Sequence, residues 1–491
     1  MEHKIYNLLE KKNKIICDLI DSISLTKNYT TIDFIANALL LNHRSIQRYI
    51  NELSDIVNSF NLENSGNIIL EYTKFKGVKI NYFDRSSDDL KKFILKKDLT
   101  INIFLDLIYS RISTIQSYSM KKFLSENLIR KSIKIINSYT TEFSVNTTTR
   151  EPFFIGEEIN IRLFMFVFLW ELFKSSPWPF DFISEMKTYK SVDFVSKEAR
   201  INFSLIHQKQ FAYLIAINNL RSRKHYYINK KDEWSDYVNI KYLKENTFFK
   251  TGTQEYIKNN EGEVYFYLLL IQAKSKFYTS EKLKSRIFDY HKKTNSDILR
   301  LTNLCIKTFT DLFFPIPAKY YEFIFIYIFS INIYCRIFKD IQVDIDGYSF
   351  TPESRYHKKL LNKLSIFLNK LYILTNDPIF LNKEFLITKY YLMISFFQNI
   401  IDYEEVIKIS ITSDLPLLIR AQLQKEIYNS FSSIFNIHFI NNEYENPDLI
   451  LTNFQTLYKE QYVCPISYPL TEYNIKVIEK HIMKIINDRT D

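Results

Sequence analysis

Two runs of apolar residues at helical spacing lie close together between Thr30 and Ile56. Ile32, Ile35, Ala36 and Leu39 fall at i, i+3, i+4 and i+7, and Ile46, Tyr49, Ile50 and Leu53 repeat that spacing after a polar break. The pattern predicts two helices joined by a turn and packed through one face each. The outer face of the second carries Arg44, Gln47, Arg48 and Asn51. Arg can fork onto guanine, Gln and Asn can pair with adenine, and Ser45 at a helix N-terminus can hold a phosphate. A helix-turn-helix that reads DNA fits the pattern; an ordinary helical hairpin with a solvated face has the same periodicity.

The next segment of the chain favours DNA reading. After the polar stretch Asn61 to Gly66, residues 67–82 hold a β-branched run, the turn signal Lys76-Gly77 and a second β-rich run. A hairpin here would be the wing of a winged helix, with Lys74 and Lys76 at its tip and Lys79 along a strand. A weaker copy of the helical arrangement spans Tyr118 to Tyr139. Leu124, Leu128, Ile129, Ile133 and Ile136 turn inward, leaving Asn127, Arg130, Lys131 and Lys134 outside. For this copy, base contact and a plain solvated basic face remain open alternatives.

The centre of the chain, about 165–400, is a series of aromatic-rich helical patterns: Arg200 to Arg223, Glu263 to Phe277, Ile298 to Phe314, Lys319 to Phe338 and Tyr356 to Leu374. Two halves are visible, each with a later helix introduced by Asn and Glu (Asn260-Glu261-Gly262-Glu263, then Asn382-Lys383-Glu384), which suggests duplicated helical bundles. The tail changes style. Val406–Ile411, Ile437–Ile440, Asp448–Thr452 and Val463–Ile466 read as strands, with helices at Pro416–Phe435 and Glu472–Ile486. Alternation of this kind implies a small parallel α/β domain.

Composition narrows the classes. With 6 Gly and 11 Pro against 41 Phe and 35 Tyr in 491 residues, long helices around aromatic cores are expected rather than a turn-rich β architecture. The formal charge of +10 is concentrated early: residues 1–150 hold 22 Lys/Arg against 16 Asp/Glu. That balance suits a polyanionic partner but does not separate DNA from RNA. The start, MEHKIYNLLEKKNK, lacks the apolar run of a signal peptide. The most hydrophobic windows, Ile161–Phe173 and Tyr321–Phe338, are too short or too interrupted to span a bilayer and read as buried helices. Cys17, Cys305, Cys335 and Cys464 are far apart, and no histidine clusters at ligand spacing. No metal, no cofactor and no catalytic residue is therefore expected.

The order of these parts resembles the Mga/AtxA family of virulence gene regulators from Gram-positive bacteria. The resemblance is carried by NHRSIQRYINEL (42–53), FIGEEINIRLFMF (154–166), PWPF (177–180) and DLILTN (448–453). It implies a mainly α, multidomain protein: a winged helix (1–85), a second helix-turn-helix (86–168), two helical bundles of the PRD type (169–283 and 284–402) and an α/β tail similar to a phosphotransferase-system EIIB domain (403–491). It implies DNA contacts from Asn42, His43, Arg44, Ser45, Gln47 and Arg48, from Lys74 and Lys76 of the wing, and from Asn127, Arg130, Lys131 and Lys134. PRDs are regulated by phosphorylation of histidine, which points to His207 and His357, with His291 a further candidate. The position seven residues after Glu263 and Glu384 holds Leu270 and Tyr391 instead of histidine, and the tail lacks the nucleophilic cysteine of an active EIIB. The expected protein is a cytoplasmic transcriptional regulator, not an enzyme, with double-stranded promoter DNA and a phosphotransferase-system phosphocarrier as partners. It is expected to form a homodimer or larger homo-oligomer and not to engage a membrane. An RNA-binding antiterminator and a phosphotransferase component are the alternatives.

Overall fold

The computed structural model describes residues 4–26, 28–149, 153–174, 176–199, 202–239, 261–339, 341–344, 352, 356–440, 446–453 and 462–490. The chain is mainly helical and divides into two compact units, residues 1–310 with 314–349, and residues 311–313 with 350–491.

The first unit begins with α1 (Lys11–Ser24), α2 (Ile32–Leu39) and α3 (His43–Asn64), followed by the antiparallel hairpin β1 (Ile68–Thr73) and β2 (Gly77–Tyr82). Helix α3 runs on into the polar stretch expected to end it, as far as Asn64. Val57 and Phe60 continue the buried stripe of Ile46, Ile50 and Leu53, and the Phe60 ring meets Phe93 edge-on at 5.4 Å. The Asn61 side chain then joins the helix end to the wing: its amide donates to the Ile68 carbonyl at 2.8 Å and its oxygen accepts the Ile68 N–H at 3.0 Å.

Helices α4 (Ser87–Lys97) and α5 (Leu99–Ile108) lead to α6 (Ile115–Lys122) and α7 (Glu126–Thr140), then to the two-residue strands β3 (Asn146–Thr147) and β4 (Phe154–Ile155). Helix α8 (Glu158–Phe173) is apolar on all sides and, as such a helix must be, is buried on all sides. The rest of this unit is α9 (Glu185–Ala199), α10 (Leu205–Ser222), α11 (Glu261–Gln272), α12 (Glu281–Lys293), α13 (Asp297–Leu312), whose last two residues fall in the second unit, and α14 (Tyr321–Ile337). Asn260, read as introducing α11, lies outside the described residues. Among the described residues no helix is long and apolar enough to cross a membrane.

The second unit carries α15 (Lys358–Thr375) and α16 (Lys383–Phe397), then an all-parallel sheet of β5 (Ile407–Thr412), β6 (Ile437–Ile440), β7 (Leu449–Thr452) and β8 (Tyr462–Pro465), in spatial order β6-β5-β7-β8. Parallel strands need crossovers, and α17 (Leu417–Phe431) supplies the one between β5 and β6; α18 (Glu472–Thr490) comes after β8. Ile407, Ile409 and Ile411 of the inner strand β5 share one core with Leu423 and Ile427 of α17 and Ile478 and Ile482 of α18. All four strands and both helices lie within a few residues of their expected places.

Candidate nucleic-acid interface

The first helix-turn-helix is built by two caps and one left-handed residue. Thr31 accepts the Phe34 N–H and starts α2. Leu40, at φ +53°, ends it, and the Leu41 N–H returns to the Ala36 carbonyl at 3.0 Å. Asn42 then caps α3, its side-chain oxygen accepting the Ser45 N–H at 2.8 Å. With Ile46, Tyr49, Ile50 and Leu53 buried, Arg44, Arg48 and Asn51 are left exposed along the outer face of α3. His43 is exposed and its Nε2 lies 2.9 Å from Asp33 of α2. Gln47 is half-buried and accepts the Tyr72 hydroxyl at 2.9 Å, which ties the wing strand β1 to α3. Asn42 and Gln47, both expected at bases, thus have their oxygens engaged inside the domain. Among the described residues Arg44 has no protein partner, and Arg48 packs its guanidinium 4.8 Å from the Tyr49 ring centre.

The wing is rigidly held. Thr30 exchanges backbone hydrogen bonds with Val78 at 2.8 and 2.9 Å, adding a one-residue third strand to β1 and β2. Gly77 makes this approach feasible: its φ is +99°, and a Cβ there would lie 2.1 Å from the Thr30 carbonyl oxygen. Lys74 and Lys76 are exposed at the hairpin tip, Lys76 with its ammonium 5.7 Å from the Tyr29 ring centre, and Lys79 is half-buried on β2.

The same frame recurs 83 positions later. Thr114 caps α6 as Thr31 caps α2, Phe123 takes the left-handed place of Leu40, and Ser125 caps α7 where Asn42 caps α3. The Leu124 N–H returns to the Ser119 carbonyl at 3.1 Å, and Ile129, Ile133 and Ile136 are buried as Ile46, Ile50 and Leu53 are. Asn127, Lys131 and Lys134 are exposed. Arg130 is half-buried, 3.1 Å from Glu126 and 3.3 Å from the Thr149 carbonyl, so its guanidinium is used within the domain. Below α6, buried Asp106 accepts from Tyr118 at 2.8 Å and Arg111 at 3.1 Å and pairs with Lys122 at 3.2 Å. Burial works against its charge, but these partners outweigh it and hold its carboxyl below the usual range.

One cluster escaped the sequence reading. Arg162, fully buried on α8, donates to Glu158 at 2.9 Å, to both oxygens of Glu263 at 2.5 and 2.7 Å, and to the Tyr226 carbonyl at 3.0 Å. Arg221 of α10 grips the same Glu158 at 2.9 and 2.7 Å. A cavity of about 650 Å³ opens beside this network, lined by Glu157, Glu158, Arg221, Tyr226 and Lys231 among others. The signal was present: a lone Arg inside an apolar helical run, four residues after a Glu, cannot be buried without partners.

The three candidate histidines sit differently. His207 is half-buried near the start of α10, its N–H capped by Ser204 and its ring 5.8 Å from Phe277. His357 is buried at the start of α15, 5.8 Å from the Tyr391 ring. His291 is fully buried between Ser296 at 2.7 Å and Gln272 at 2.9 Å, and burial pushes its pKa down to about 4. All four cysteines are buried, and Cys464 lies on β8. Among the described residues no group of His, Cys, Asp or Glu is placed to hold a metal ion.

Residues 83–169 match a family model, the Mga helix-turn-helix domain. The match runs from the end of the first wing through α4 to α7, the short β3–β4 pair and most of α8, and includes the FIGEEINIRLFMF segment. The chain therefore carries a helix-turn-helix domain of the Mga type, the domain of a DNA-binding regulator. No curated protein matches the chain.

Proposed function

We propose that this Mga-type regulator binds duplex promoter DNA through a winged helix and a second helix-turn-helix in its first 169 residues and activates virulence-type genes. The carrying observation is the exposed face of α3, with Arg44, Arg48 and Asn51 beside a basic wing. In this reading α3 enters the major groove and the wing tracks the backbone, while α7 supplies Asn127, Lys131 and Lys134 to a neighbouring stretch of duplex. The protein acts in the cytoplasm, by binding and not by catalysis.

The middle of the chain is proposed to be two PRD-type bundles, divided at about residue 284, and the tail an EIIB-like domain through which chains associate as homodimers or larger oligomers. Phosphate on a bundle histidine, delivered by a phosphotransferase-system carrier, adds roughly −1.5 to −2 charges and biases packing between the parts. His207 is the most accessible of the candidates and His357 the second. A His207→Asp variant is expected to shift DNA affinity, oligomeric state or reporter output; no change in all three would remove this part of the reading.

Titration of the full-length protein against duplex DNA from upstream of its own gene, across a range of salt, tests the core proposal. Affinity falling steeply as salt rises is expected. Absence of binding at low salt would overturn it.

A further inference from the structure

The tip of the first wing presents an aromatic ring that the folded protein does not use. Phe75 is 96% exposed, the most exposed large hydrophobic among the described residues, and stands between the exposed Lys74 and Lys76. Several features fix its position. The Thr30–Val78 bridge and Gly77 lock the turn end of the hairpin, the Tyr29 hydroxyl bonds to Glu71 on β1, and Tyr72 on the same strand bonds to Gln47 of α3. The strand that leads to the ring is thus tied to α3, the helix of Arg44 and Arg48. An apolar group carried in water between two cations is suited to a surface that offers phosphates on either side of an apolar slot.

We infer that Phe75 is a wedge that enters the minor groove and inserts between base steps while Lys74 and Lys76 hold the flanking phosphates. Apolar wedges of this kind unstack a step and kink the duplex toward the major groove, which would bring the backbone up against the wing while α3 occupies the adjacent major groove. The contact favours flexible pyrimidine–purine steps without hydrogen-bonding a base, so it adds selectivity for DNA deformability to the readout by α3. The inference rests on the proposed DNA binding by the first winged helix and names the part of the duplex its wing takes.

The test uses the full-length chain and duplex DNA from upstream of its own gene, with affinities measured over a salt series. Phe75→Ala is expected to weaken binding about tenfold, the effect of losing one base–aromatic stack, with the slope of log K against log salt unchanged. Lys74→Ala with Lys76→Ala is expected to flatten that slope by about 2, one unit per phosphate contact. Phe75→Trp should keep affinity and gain an indole emission, relative to the parent protein, that DNA quenches. The exposed side chain makes Phe75→Ala neutral for folding, and an unchanged melting curve verifies it. Affinity of Phe75→Ala equal to the parent's would overturn the wedge while leaving DNA binding intact, as would loss of self-association in that variant with DNA affinity unchanged. Failure of the parent protein itself to bind duplex would instead remove the reading on which the wedge depends.

Discussion

The two helix-turn-helix domains share a frame and differ in what their polar residues do. In the first, Arg44 and Arg48 extend outward from α3, and the six-residue strands β1 and β2 carry a basic tip. In the second, Arg130 folds back onto Glu126 and Thr149, the paired strands shrink to two residues each, and Asp106 gathers Tyr118, Arg111 and Lys122 into the interior. The second domain also ends in α8, whose Arg162 is committed to Glu158 and Glu263. The first domain leaves Arg44, Lys74 and Asn51 exposed at its surface, whereas the second ties Arg130, Arg111 and Lys122 into ion pairs. Helical periodicity alone cannot tell these apart, because both present the same buried stripe.

Removing the outward charges should give the largest contrast. Arg44→Ala with Arg48→Ala removes two side chains that can each fork onto a base, at about 1–3 kcal/mol apiece, so affinity for the upstream duplex should fall about 30-fold or more with the fold intact. The matched change in the second domain, Asn127, Lys131 and Lys134 to Ala, should cost about tenfold and chiefly flatten the salt dependence. Equal losses from the two sets in a filter-binding or anisotropy titration would erase the functional asymmetry.

The inward charges should show the converse. Glu263→Gln leaves Arg162 buried with half its compensation, and breaking such a pair typically costs about 3–5 kcal/mol. Thermal melting should move clearly downward and amide exchange should rise in α8 and α11. A variant that melts like the parent would mean that Glu158 alone sustains Arg162. Smaller, at about 1–3 kcal/mol, is the effect expected of Gly77→Ala, which forces an L side chain into a left-handed conformation against the Thr30 carbonyl. It should loosen the first wing and lower DNA affinity severalfold, while the second domain, measured by exchange in α6 and α7, stays unchanged.

Much of this was legible in the chain. The buried stripes of α3 and α7, the lysines of the wing tip and the four strands of the tail come from local spacing, where every position answers to the nearest few. What local spacing does not reach is tertiary. Helix α3 continues to Asn64 because Phe60 finds Phe93, although the polar stretch that begins at Asn61 signals a break. Helices α4 and α5, rich in Lys and Asp at their junction, carried no pattern strong enough to be placed. The Arg162–Glu263 pair joins positions 101 residues apart, so no window along the sequence contains it. On α3 and at its cap, Gln47 and Asn42 have the right chemistry for bases, yet wing and cap contacts claim their oxygens.

The subtlest difference between the domains is acid sensitivity. Asp106 lies two residues before the end of α5, and two residues before the end of α1 stands Ser22, whose hydroxyl bonds to the Asp18 carbonyl. Burial raises the Asp106 pKa, but the hydrogen bonds from Tyr118, Arg111 and Lys122 lower it further, so the folded-state value lies below that of the unfolded chain. As pH drops below about 4, the unfolded state takes up this proton first, and stability present at neutral pH is lost as pH falls through the folded value. Asp106→Asn should cost about 1–3 kcal/mol at pH 7, by leaving its partners imperfectly matched. The gap between parent and variant should hold from pH 7 to pH 5 and narrow below pH 4, whereas Ser22→Ala should give a small, pH-independent difference. A gap for Asp106→Asn that stayed constant down to pH 3 would show that the carboxylate's charge contributes nothing, and that the second domain is held by shape in the same way as the first.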